Sequence, residues 1–171
     1  MRCSLCIPHG PTAAINTRWE LSLLTYLAYA PCHAVADIQS KCADVYMYMF
    51  DYQQRVRPLH KAWYGVQHGD NVGYDFGIPL MPRFANLFPD QCDKDISLFI
   101  MEMYTNFAKL GNPTPQPVSD VTFERYNSSQ RAYLRVDKKS EMKASFAPRR
   151  MSFWNDYYPK LMEVKFKKRQ W

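Results

Sequence analysis

Apolar residues recur at three- and four-residue spacing from Ile96 through Phe99, Ile100, Met103, Tyr104 and Phe107 to Leu110, the clearest helical pattern in the chain. Asp93 is placed to cap its start and Gly111 to end it, with Pro113 just beyond. Such a stripe reads as a packing face and is assigned no chemistry. A different pattern, VYMYMFD at 45–51, is continuous, apolar and aromatic. A run this short predicts a strand buried on both faces, as in a parallel or mixed α/β sheet. RAYLRV at 131–136 alternates and predicts a second strand. Trp19, Leu21, Leu23, Leu24 and Leu27 predict a short helix ending before Pro31. Residues 32–41 are helix-compatible, with Val35 and Ile38 on one face, and 146–161 place Phe153, Trp154, Tyr157, Tyr158 and Leu161 on another helical face. Prolines at 79, 82 and 89, and again at 113, 115 and 117, mark irregular connections. The predicted order is helix, strand, loop, helix, strand, helix, with no internal repeat.

The whole chain has 171 residues, 47% of them hydrophobic, which suits one globular domain with a sizeable core. It contains no apolar run of roughly eighteen residues, so no membrane span is placed. The start, MRCSLCIPHGP, lacks a continuous apolar segment, and no secretory signal is expected there. Residues 1–18 read as an irregular leader, 19–162 as the main unit and 163–171 as a basic tail. Lys160, Lys165, Lys167, Lys168 and Arg169 contribute much of the +6 net charge. That tail reads as solvated rather than as a nucleic-acid surface. Five cysteines cannot all pair within the chain. Cys3-x-x-Cys6-x-x-His9 resembles half of a zinc site, but Cys32-His33 has the wrong spacing to complete it, so no metal is expected. Asn127-Ser128-Ser129 is a glycosylation acceptor pattern, meaningful in a secretory context.

The candidate chemistry lies in WYGVQHGDNVGYDFG at 63–77. His68 stands between Gly65 and Gly69, which let a loop bend sharply and a substrate approach. A neutral imidazole is a general base near physiological pH. His9, His33 and His60 have no comparable setting. The base has no nucleophile here: the chain carries no Gly-x-Ser-x-Gly elbow, and Ser97, Ser140 and Ser145 fall in helical or polar stretches. Asp70 and Asp75 follow His68 too closely to serve as triad carboxylates, which come from other loops. No glycine-rich phosphate loop is present.

Several blocks occur in one order: YMYMF at 46–50, W-x-GV-x-HGD at 63–70, Y-x-FGIP at 74–79, TNFAK-x-GNP at 105–113, Tyr133-Leu134 and FWND at 153–156. Together they resemble the C-terminal part of the type-B carboxylesterases, a family that includes cholinesterases and the non-catalytic neuroligins. The resemblance covers about residues 19–162 and extends to Ala30-Pro31 with Val35-Ala-Asp37. It implies an α/β-hydrolase fold, here a C-terminal fragment with few strands, flanking helices and an incomplete sheet. It also implies that His68 is the triad histidine, taking the serine proton and later protonating the leaving group. The family's serine, acid and oxyanion-hole glycines lie upstream of anything present, so the chain alone is expected to be inactive.

Departures sharpen the expectation. Cholinesterases carry an aromatic residue where Asp70 stands, so an acetylcholine reading weakens. His68-Gly-Asp looks more like general esterases and neuroligins, which usually continue with glutamate where Asn71 stands. Met151 replaces the cysteine that cholinesterases place before Phe-Trp, leaving Cys32 without its usual partner. Cys92 resembles a neuroligin cysteine whose partner near Tyr52 is also missing. The leading expectation is a fragment of a serine carboxylic-ester hydrolase, acting on an ester in the full-length parent without a cofactor. The alternative is a fragment of a neuroligin-like adhesion protein with a protein partner. Either places the parent outside the cell or at its surface, and a truncated product without a function of its own is a third outcome. Losing most of the central sheet would leave 45–51 with unpaired edges, which predicts poor solubility or association.

Overall fold

The computed structural model describes residues 29–55 and 65–167; the helix predicted across 19–27 lies outside them. The first described helix, α1 (Ala30–Gln39), starts at Ala30 and takes Pro31 into its first turn rather than beginning after it. Proline suits the first turn, where its missing N–H would bond nothing. Its inward face is Ala30, His33 and Ala36, whereas Val35 and Ile38 point to solvent. The expected apolar face is thus the outer one: small residues let the helix approach closely, and a larger aliphatic face remains uncovered by described residues.

Three strands form a mixed sheet in the order β1 (Tyr48–Phe50), β2 (Ala132–Val136), β3 (Glu141–Ala144). β1 and β2 are parallel, with Tyr48 opposite Leu134, and β2 and β3 are antiparallel, with Leu134 opposite Met142. β1 is shorter than 45–51, and its residues are half-buried rather than buried on both faces. Residues 45–47 still bond their neighbours, Val45 O accepting from Tyr126 N–H and Met47 O from Leu134 N–H, but not as a regular ladder. β2 alternates as its sequence demands, with Ala132, Leu134 and Val136 buried. β3 was not anticipated. Its turn is closed by Asp137 and Ser140, the Ser140 hydroxyl donating to Asp137 O while Asp137 Oδ1 accepts from Lys138 N–H. On the exposed side Arg135 links Asp51, Asp137 and Glu141 across the three strands.

The long helix packs beneath the sheet through a short one. α2 (Val72–Asp75) follows the histidine loop, two 3₁₀ turns (Ile78–Leu80, Pro82–Phe84) follow it, and α3 (Gln91–Leu110) is the predicted long helix. Its cap is Asp90, in extended conformation and accepting from Cys92 N–H, not Asp93. Gly111 ends the helix at φ +67, as expected. Ile96, Phe99, Ile100 and Met103 enter the core with Tyr52, Tyr74, Leu134 and Val136. Tyr104, Phe107 and Leu110 continue the stripe but remain exposed, because the described sheet is too narrow to cover the helix's last turns. Gly77 turns the chain at φ +70, and a Cβ there would meet Met101 Sδ at 3.0 Å, so the turn and α3 are closely apposed.

The C-terminal helical run consists of α4 (Pro148–Ser152), a π-helical turn (Phe153–Tyr157) and α5 (Tyr158–Lys167). Pro159 explains the widened turn: its ring excludes an ordinary hydrogen bond to the carbonyl four residues back, and a π-turn absorbs that defect. Met151 is buried, but Phe153, Tyr157 and Leu161 of the predicted helical face are exposed.

Candidate functional site

His68 lies in a turn, exposed, between Gly65 at φ +67 and Gly69 at φ +90. Both glycines adopt the left-handed region that side chains resist. No heavy atom lies within 4 Å of a Cβ built on either, so conformation rather than crowding calls for glycine here. Asp70 shapes the loop by accepting the Gln67 N–H at 2.9 Å, while Asp70 N–H returns to Gln67 O. This carboxylate is used by the loop's own backbone. Asp75 likewise accepts from Asn71 Nδ2 at 2.7 Å, and burial raises its pKa, only partly opposed by that hydrogen bond.

The loop is anchored from below. Tyr74, in the helix just after His68, donates its hydroxyl to Asp93 Oδ1 at 2.8 Å, and Tyr52, just past the carboxyl end of β1, donates to the same oxygen at 2.9 Å. Ser97 Oγ donates to Tyr74 O at 2.7 Å. Tyr74 also packs on Phe50, ring centroids 5.2 Å apart. The histidine loop, the end of β1 and α3 therefore meet at one buried carboxylate. Burial raises the Asp93 pKa, opposed by the two phenol hydrogen bonds and by the Asp90 backbone, and among the described residues Asp93 Oδ2 makes no close hydrogen bond. The phenols of Tyr52 and Tyr74 are held firmly protonated, first by burial and then by the Asp93 charge. A second phenol pair, Tyr48 and Tyr104, joins β1 to α3 through their hydroxyls. Sequence reasoning missed this anchor. Its only trace was Asp93 beside a helix start, where capping was the obvious reading.

The other candidates are scattered. His33 is buried in α1 beside Phe146 and Tyr126, and among the described residues its Nδ1 has no hydrogen-bond partner. Burial lowers its pKa and the neighbouring Arg131 lowers it further, opposed by Asp37, which accepts from Arg131 Nη2 at 2.9 Å and from the Tyr126 hydroxyl at 2.7 Å. The folded state thus prefers neutral imidazole. Its contribution is complete above the unfolded pKa of about 6.5 and is lost as pH falls below that value. The melting temperature is expected to drop between pH 7 and pH 5 more steeply in the native chain than in His33→Phe, which keeps a ring in place. Parallel pH profiles would remove His33 from this account.

Cys32, adjacent to His33, is exposed and free, as is Cys42, whereas Cys92 is disulfide-bonded. Cys92 is therefore paired, although the position near Tyr52 where the resemblance looks for its partner holds no cysteine. Cys3, Cys6, His9 and His60 lie outside the described residues. Among the described residues no three His, Cys, Asp or Glu side chains converge to hold a metal, and no helix is long and apolar enough to cross a membrane. Asn127 is exposed on a turn ahead of β2. Ser97 is buried and committed to the backbone, and Ser140 to its turn. An exposed, glycine-framed imidazole, on a loop tied through Tyr74, Asp93 and Tyr52 to the carboxyl end of β1, can act as a base toward groups supplied from elsewhere.

Comparison with known proteins bears on the family. Residues 13–154 match the model of the carboxylesterase family. Acetylcholinesterase of Bungarus fasciatus is 30% identical over 140 residues, which cover 79% of this chain and 22% of that protein. Human neuroligin-2 is 30% identical over 152 residues, covering 78% of this chain and 17% of that protein. Neuroligin-3 of Mus musculus is 28% identical over 151 residues. The chain thus spans about a fifth of the length of these relatives. With most of its length matched by one family model, this chain belongs to the carboxylesterase family.

Proposed function

We propose that this chain is the histidine-bearing C-terminal portion of an α/β-hydrolase fold from an extracellular or cell-surface serine carboxylic-ester hydrolase, inactive by itself. One observation carries the reading: an exposed imidazole between two positive-φ glycines, on the loop that follows a parallel strand and is anchored at its carboxyl end. Open α/β sheets place their reacting groups at that end. In the assembled site His68 would accept the proton of a serine nucleophile as it attacks the ester carbonyl. It would then return a proton to the departing alkoxide. The serine, the orienting carboxylate and the oxyanion-hole amides belong to sequence outside this chain.

The isolated chain is expected to hydrolyse p-nitrophenyl acetate no faster than its His68→Ala variant. A faster rate that a serine-directed inhibitor abolishes would overturn the claim that it is inactive alone. Reading the whole transcript tests the parent's activity. A Gly-x-Ser-x-Gly elbow upstream supports the esterase, and glycine or alanine in the serine position removes it. The second outcome would favour a neuroligin-like binding role. Two observations support that alternative: Asp70 beside His68, and neuroligin-2 matching as well as acetylcholinesterase does.

A further inference from the structure

We propose that Asn127 carries an N-linked glycan. Asn127-Ser128-Ser129 satisfies the Asn-x-Ser acceptor rule; Asn112 also has a threonine two residues on, but the intervening Pro113 disqualifies it. The fold treats this sequon as an acceptor requires. All of residues 127–130 are exposed, on a turn closed by Arg131 N–H donating to Asn127 O at 2.7 Å. The Asn127 side chain contributes through its oxygen alone: Oδ1 accepts the Gln130 N–H at 2.7 Å, and Nδ2 makes no hydrogen bond among the described residues. Glycosylation keeps the amide carbonyl and substitutes the nitrogen, so the modified side chain retains the bond that shapes the turn.

In the transfer step, Nδ2 forms a bond to the anomeric carbon of a lipid-diphosphate-linked oligosaccharide. The bond from that carbon to the diphosphate oxygen breaks, the lipid diphosphate leaves with the electron pair, and the amide proton passes to a base of the transferase. Topology keeps the glycan clear of the candidate site. Asn127 precedes the amino end of β2, and β2 runs parallel to β1, so the sugar sits at the opposite end of the sheet from the His68 loop. It lies instead beside the end of β3, where Ser145 N–H donates to Arg131 O and Ser145 Oγ to Gln130 O. Natural occupancy rests on the secretory routing of the reading above, while the acceptor itself does not.

The full chain, placed behind a supplied signal peptide in cultured animal cells, provides the test. Whole-cell lysate is read, so retention of the protein does not obscure transfer. One mobility step, removed by peptide N-glycosidase F, is expected in the native sequence and in Ser128→Ala, and is lost in Asn127→Gln and Ser129→Ala. Peptide mass spectrometry after deglycosylation is expected to find aspartate at position 127. An unshifted native chain, or a shift that survives Asn127→Gln, would overturn the proposal. A glycan gained behind the supplied signal but missing from the natural product would count against extracellular routing and leave the acceptor site standing.

Discussion

Asp93→Ala is expected to destabilise the fold by about 2–5 kcal/mol, because it strips the shared acceptor from two buried tyrosine hydroxyls at once. Each orphaned donor costs about 1–3 kcal/mol. The loss is partly offset, since the variant also removes a desolvated carboxylate. Asp93→Asn separates the two effects. It keeps a carbonyl oxygen for both phenols and carries no charge, so its cost is expected to be only about 1 kcal/mol. Urea midpoints at neutral pH measure both variants. An alanine variant no weaker than the asparagine one would show that the phenols find other partners. Hydrogen exchange provides a local readout: amides of residues 67–76 are expected to lose protection in Asp93→Ala before those of β2, because Tyr74 is the tie that holds the histidine loop to α3.

Leu134→Ala is expected to cost a similar amount, about 2–5 kcal/mol, for a different reason. Leu134 is fully buried at the centre of the sheet, opposite Tyr48 on one side and Met142 on the other. Truncation removes apolar area and leaves a cavity that three hydrogen-bonded strands cannot collapse to fill. Leu98→Ala in α3 serves as the control. That side chain is 52% exposed, and its loss is expected to move the urea midpoint by less than a third as much. Equal losses at the two positions would mean that the sheet is not the stabilising centre of the described fold.

Some of this architecture was legible because the signals were local. The alternation of 131–136 fixes which residues of β2 face inward, and a glycine after a periodic run ends α3 in the left-handed conformation only glycine adopts readily. The start of α3 was not legible. Asp90 and Asp93 are equally good caps by residue type, and a carboxylate at either would suit the helix N-terminus. Asp90 caps, and Asp93, one turn further on, goes to two tyrosines 19 and 41 residues distant in sequence. β3 was missed because Glu141–Ala144 carries little apolar alternation of its own; its pairing with β2 makes it a strand. His33 was passed over because no motif surrounds it, and burial together with Arg131 gives it character.

By itself, the sequence determined the family, through ordered blocks that need no structure to be read, and it marked the glycine frame of His68, because glycine is the residue that bends into positive φ without steric cost. Only the tertiary structure decided which face of each helix is covered, which aspartate caps α3, and where the histidine loop is fastened. Those outcomes depend on contacts between segments far apart in the chain, and local periodicity carries no information about which distant partner will fill them.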